Sequence, residues 1–204
     1  MNLPRNIAVL LVLPERRLRA DVLSLVRGTW LLKAAELRKL QHNARYSYRV
    51  CYDTLEQTLL QAKASCLYTH NSREAVTGAK AVAAAVWLSH HGKSKDEIKL
   101  FIERNFNYDL STPIAEIRKG YVFDSRAGYS VPPSIISFLQ SDDYESSVRN
   151  AVSLGGDADT MACISGGIAE AFYGDIPQNI RDFCGLRLDG TIKRVINEFN
   201  DNFN

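Results

Sequence analysis

Apolar residues recur at three- and four-residue spacing through most of this chain, and short polar clusters cut the pattern into helix-sized segments. Asp53-Thr-Leu-Glu56 reads as a capping box opening a helix to about Cys66, with Leu55, Leu59, Ala62 and Cys66 facing inward. Ser72 predicts the start of a helix over 73–90, whose wide apolar stripe is Val76, Ala79, Val82, Ala83, Val86 and Trp87. Ser94-Lys-Asp-Glu97 is a second capping box, starting a helix through about Asn105 that turns Ile98, Phe101 and Ile102 inward. Pro113 suits the first position of a helix over 113–119. Residues 120–131 read as an ordered loop carrying Tyr121, Phe123 and Tyr129, and 133–139 as a helix. Asp142-Asp-Tyr-Glu145 is a third capping box, and its helix ends in Gly155-Gly156. The next helix stops at Gly174, with Pro177 shortly after. Two closing helices, over 178–184 and 191–199, present Leu188, Ile192, Val195, Ile196 and Phe199. No stretch alternates strongly enough to demand a sheet, so the pattern predicts an all-α fold.

At 204 residues the chain suits one ordinary domain, able to bury roughly 70% of its unfolded surface. The net charge of +2 hides an asymmetry: residues 1–49 hold ten Lys/Arg against three acids, which leaves fifteen against twenty in the remainder. That mildly acidic body argues against nucleic acid as the main partner. Cys51, Cys66, Cys163 and Cys184 lack finger-like spacing and read as free thiols of a reducing compartment. The apolar run over 7–13 is too short to span a bilayer. Pro14 and Arg16-Arg17-Leu18-Arg19 follow where a signal peptide would need its small-residue cleavage site. The expectation is a cytoplasmic protein with no membrane partner.

Candidate chemistry concentrates in the corner between the helix ending at Gly155-Gly156 and the next one. Glycine turns left-handed there at little cost, and Asp157, Asp159 and Thr160 offer two carboxylates and a hydroxyl, hard donors suited to a hard cation. The following helix carries Ala162, Ser165, Gly166 and Ala169 on neighbouring turns, so another backbone can approach it closely. Read without any cation, the same acids are an N-cap with a favourable first-turn charge. An EF-hand is excluded: its sixth and twelfth positions, glycine and glutamate, fall here on Ala162 and Ile168. Adjacent His90 and His91 diverge by about 100° on a helix and cannot share an ion, so they read as last-turn residues. His70 and the loop aromatics have an ordinary structural reading too: a surface hydrogen bond, and rings pinning a loop to the core.

The Gly-Gly-Asp-x-Asp-Thr core with its trailing Gly-Gly-Ile-Ala-Glu-Ala-Phe-Tyr-Gly resembles the C-terminal signature of the ADP-ribosylglycohydrolase family. Thr69-His70-Asn71, the helix holding Gly78-Ala79-Lys80-Ala81-Val82-Ala83, and Val131-Pro132 leading into Ile135-Ile136-Ser137-Phe138-Leu139 follow in the family's order. The resemblance covers roughly 50–204 and implies an ADP-ribosylglycohydrolase-like helical domain there, with 1–49 an atypical basic segment. It implies two Mg2+ ions, with Asp157, Asp159 and Thr160 as metal ligands and Asp159 suited to bridge them. It implies His70, Gly155 and Gly156 beside the substrate, an ADP-ribosylated protein or an ADP-ribose-containing small molecule whose glycosidic bond is cleaved. One of Tyr121, Phe123 and Tyr129 could then stack on adenine.

The family's opening Gly-Asp stretch, its Thr-Asp-Asp run and its phosphate-cradling Gly/Asn loop are absent from 1–49. Asp142-Asp143 does not replace the Thr-Asp-Asp run, because Ser141 precedes it and capping explains both acids. The expectation is a domain N-terminally truncated or replaced, with half its metal site and impaired hydrolysis. The alternative is a catalytically inactive ADP-ribose-binding or crystallin-like structural member, so the sequence leaves its standing as an enzyme open.

Overall fold

The structure, a computed structural model, describes residues 52–67, 70–124, 126–174, 176–194 and 197. The expectations placed on residues 1–49, on Cys51 and Thr69, and on Val195, Ile196 and Phe199 lie outside these. Eight helices follow in order: α1 Leu55–Leu67, α2 Arg73–His90, α3 Lys95–Phe106, α4 Ile114–Gly120, α5 Ala127–Leu139, α6 Tyr144–Ser153, α7 Ala158–Tyr173 and α8 Gln178–Gly185. A further helical turn starts at residue 190. The described residues contain no strand, in keeping with the all-α reading.

Helix α7 is the centre of the bundle. It packs against α6, α5 and α2, while α1 and α3 pack on α2 and α4 on α5. Met161 and Ile168 are fully buried on α7, and its small residues Ala162, Ser165, Gly166 and Ala169 are buried too. The close approach they permit is realised by α6. A Cβ at Gly166 would lie 3.3 Å from both the Tyr144 hydroxyl and Val148 Cγ2.

Helix α2 differs from its predicted stripe for the same reason. Ala79 is buried as expected, but the most buried face is Gly78, Ala81, Ala84, Ala85 and Leu88. Val82, Val86 and Trp87 flank the core half-buried. Side-chain size points to the valines. Close packing instead selects the face on which a Gly78 Cβ would stand 3.0 Å from Ala127 Cβ on α5.

Several boundaries also shift. Ser72 accepts from the Ala75 amide and the Ser94/Glu97 box is complete, both as predicted. At α1 the cap is Thr54 rather than Asp53, its hydroxyl accepting from Gln57 N at 3.2 Å. At α6 the box is Asp143 with Ser146, one residue later than predicted, and Glu145 pairs with Arg149. Helix α4 starts one residue late, with Pro113 as its N-cap.

The largest difference is α5, which begins at Ala127 and takes in both Pro132 and Pro133. Neither proline has an N–H, so the carbonyls four residues earlier, of Gly128 and Tyr129, lose their helical donors. The Tyr129 carbonyl is compensated from outside: the Tyr121 hydroxyl donates to it at 2.8 Å. The predicted loop over 120–131 therefore shrinks to 121–126.

At the opposite end of the bundle, Lys95 closes the C-terminal ends of α5 and α7. Its ammonium lies 5.3–5.7 Å from the ring centres of Phe138, Phe172 and Tyr173 and donates to the Ser141 carbonyl. Both helices present carbonyl-rich, partly negative ends there, where a cation is favourable. His90 ends α2, and His91 stacks on Trp87 with ring centres 3.5 Å apart and its Nδ1 2.7 Å from the Trp87 carbonyl.

Candidate functional site

The acidic corner forms where α6 gives way to α7. Leu154 and Gly155 donate to carbonyls three residues back, tightening the last turn of α6. Gly155 and Gly156 then both take left-handed backbone, with φ of +75° and +63°. Two such residues in succession turn the chain sharply enough to set Asp157 at the N-cap of α7. Asp157 makes no side-chain cap bond. Asp159 directs Oδ1 to the Thr160 amide at 2.9 Å, and Thr160 is buried.

The two glycines face different surroundings. A Cβ at Gly155 would meet nothing within 4 Å. One at Gly156 would stand 2.5 Å from Tyr121 Cε1 and 3.4 Å from the Phe123 backbone. The α4–α5 connection thus lies directly against the corner. Burial and the charge of neighbouring Asp157 hold the Tyr121 phenol above its ordinary pKa. Tyr121 is the pinning aromatic, whereas Phe123 and Tyr129 remain about half exposed and Val122 more so.

Glu74, in the first turn of α2, ties a third helix to this end. Its Oε1 accepts from Gly128 N at 2.6 Å, giving α5 the N-terminal cap that Arg126 does not supply. A side chain at Gly128 would collide with that carboxylate at 2.5 Å. Arg126 pairs with Asp124 at 2.6 Å and lies 4.4 Å over the Tyr129 ring. Through Glu74–Gly128, Tyr121–Tyr129 and Tyr121–Gly156, the N-terminal ends of α2, α5 and α7 meet at one end of the bundle. His70 lies at that end, four residues ahead of Glu74, half-buried and donating its amide to the Cys66 carbonyl at 2.7 Å.

Asp157, Asp159 and Thr160 therefore share one corner with Gly155 and Gly156, while His70 stands just ahead of α2, whose first turn reaches the start of α5 through Glu74. Their oxygens are hard donors of the kind Mg2+ takes, but three is half of its six-oxygen shell. Among the described residues no three His, Cys, Asp or Glu side chains gather as a metal-binding group. Cys163, one turn along α7, is no candidate ligand as it stands: burial, and secondarily Asp159, push its thiol up to about 12. Cys66, Cys163 and Cys184 are not joined in disulfides.

Sequence reasoning missed Glu74, whose only signal is an acid in a helix's first turn, and Arg126, which no local pattern marks. It also missed the specific seat of Tyr121; the signal available was Pro132-Pro133, which strips a carbonyl of its donor and so demands one from elsewhere.

No described helix is long and apolar enough to cross a membrane. The family model described as ADP-ribosylglycohydrolase matches residues 47–203. No curated protein matches the chain.

Proposed function

The chain belongs to the ADP-ribosylglycohydrolase family, and we propose that it is a magnesium-dependent hydrolase cleaving ADP-ribose from a modified protein or small acceptor, with an impaired metal site. Family members act on ADP-ribosylated substrates and are typically magnesium-dependent. The observation that carries the reading is the meeting of three helix N-termini beside a double-glycine corner bearing Asp157 and Asp159.

Each helix N-terminus carries roughly half a positive charge, which suits a diphosphate. The carboxylates of Asp157 and Asp159 reverse that field locally and, with Thr160, are the groups that would hold Mg2+. The metal's contribution when bound is to fix the ribose hydroxyls and polarise the environment of the attacked anomeric carbon. Gly155, whose Cβ position is open, would let the substrate approach the backbone closely, while Gly156 beside it is covered on that side by the Tyr121 ring. In this reading His70 would hydrogen-bond the nucleotide, and half-exposed Phe123, or the side of Tyr129 that Arg126 does not cover, would offer a face for an adenine ring. Three side-chain ligands would grip a divalent ion weakly, so turnover would be slow compared with a site supplying carboxylates from both sides.

A second reading, an inactive ADP-ribose-binding or structural member, is favoured by the lack of any three-residue metal group among the described residues. Incubation with ADP-ribosylated protein and MgCl2 separates the readings. Release of free ADP-ribose that Asp159→Ala abolishes supports the hydrolase. Binding of ADP-ribose without release supports the inactive binder, and neither outcome leaves a structural body.

A further inference from the structure

We propose that Tyr121 is a positioning residue for the acidic corner, holding the Gly155–Gly156 turn in the form that presents Asp157 and Asp159 to a divalent cation. The inference rests on the metal-binding reading above. Two adjacent glycines are the most permissive pair a corner can have, and each loses more freedom on ordering than any other residue. Something outside the turn must select its conformation. Gly155 faces open space, so the selecting contact falls on Gly156, where the Tyr121 ring occupies the place of a side chain.

Tyr121 can bear on the corner because it is fixed elsewhere. Its hydroxyl is committed to the Tyr129 carbonyl, the acceptor that Pro133 leaves without a helical donor. The short helix before it, α4, is held at both ends. At its start Ile114 N donates to Gln140 Oε1 at 3.0 Å while Gln140 Nε2 donates to the Thr112 carbonyl at 3.1 Å. Near its finish Arg118 donates twice to Ser153 Oγ, at 2.7 and 3.1 Å, and Ser153 donates on to the Asn150 carbonyl. Helix α4 is thus a strut from the C-terminal end of α5 to the corner, with Arg118 on the α6 side of the glycines and Tyr121 upon them. Preorganised ligands bind metal more tightly than ligands ordered by the metal itself, and residues supporting a metal's ligands typically carry about 10–100-fold in affinity.

The test is Mn2+ uptake by the full chain, titrated by electron paramagnetic resonance with Mn2+ as probe for Mg2+. Tyr121→Ala is expected to weaken Mn2+ binding about tenfold or more, and Tyr121→Phe, which keeps the ring over Gly156, to recover most of that loss. Lys95→Met, at the far end of the bundle, is expected to lower stability and leave the affinity unchanged, which separates the effect from general loosening. Should Tyr121→Ala fail to fold, the exposed change Arg118→Ala releases the strut's other contact and is expected to weaken Mn2+ in the same direction. Wild-type chain that takes up no Mn2+ overturns the functional reading and this inference with it. Wild-type uptake with unchanged affinity in Tyr121→Ala, or in Arg118→Ala where that stands in for it, overturns the inference alone.

Discussion

Ser147 and Ser165 face each other across the α6–α7 interface with their hydroxyl oxygens 2.7 Å apart and no solvent exposure on either. Each also reaches the other's backbone carbonyl, Ser165 Oγ at 3.1 Å and Ser147 Oγ at 3.3 Å. The pair fixes the register of the two helices whose junction is the acidic corner. Ser165→Ala is expected to cost about 1 kcal/mol, and the Ser147→Ala/Ser165→Ala double variant less than the sum of the singles. Ser165→Val, adding bulk where none fits, is expected to cost about 1–3 kcal/mol. Urea denaturation of the four variants measures this, and additive singles would count against the coupling.

Glu170 on α7 predicts a pH dependence. Burial pushes its carboxyl up to about 8, against the pull of the Arg181 guanidinium, and its Oε1 is buried without a hydrogen-bond partner. The folded state keeps a proton that the unfolded state releases near its ordinary value of 4.5. Stability therefore falls as pH rises from about 4.5 to about 8 and levels off above, by up to about 1.4 kcal/mol for each pH unit. Glu170→Gln, which cannot ionise, should gain on the wild type across that window. Thermal melts at pH 5, 6.5 and 8 should show a Tm advantage that widens with pH, and parallel Tm values would contradict it.

Glu74 caps a helix to which it does not belong. Its bond to the Gly128 amide satisfies an N-terminal donor of α5 and sets a negative charge at that helix's positive end. Glu74→Ala is expected to cost about 1–2 kcal/mol and to loosen the Tyr129 side of the candidate site. Hydrogen exchange should then speed up at the start of α5 and leave the C-terminal half of α7 protected.

Lys95 predicts a loss through its aromatic contacts, without an acidic partner being needed. Lys95→Met keeps the aliphatic stem but removes the charge held over Phe138, Phe172 and Tyr173 and the donor to Ser141. A cost of about 1–2 kcal/mol is expected, readable as a lower urea midpoint with an unchanged slope.

How much of this was legible varies with the physics. Ser94 and Glu97 could be read as a capping box because both halves lie within four residues. Where two candidate caps adjoin, as at Asp53-Thr54 and Asp142-Asp143, the spacing alone does not choose between them, and in both places the second residue is the cap. Pro132-Pro133 read as the foot of a helix because prolines normally remove two hydrogen bonds. Inside α5 the carbonyl that Pro133 deprives, that of Tyr129, is satisfied by Tyr121, a donor twelve residues upstream of the proline, which no local window holds. The Gly-Gly corner was legible from glycine's freedom alone, and its two positive φ values bear that out. That Gly156 but not Gly155 is packed against a ring is a tertiary fact. The small-residue face of α7 was legible as a close-approach surface, while on α2 the same logic was hidden behind larger valines.

The central claim is that Asp157, Asp159 and Thr160 hold a divalent cation beneath an ADP-ribose unit. Crystals soaked with MnCl2 and ADP-ribose, measured for anomalous scattering, test it most directly. The account predicts an anomalous peak coordinated by Asp159 and by Asp157 or Thr160, with the nucleotide across Gly155 and the diphosphate at the helix N-termini. A well-ordered corner with no such peak, its carboxylates bonded only to backbone amides, would contradict it.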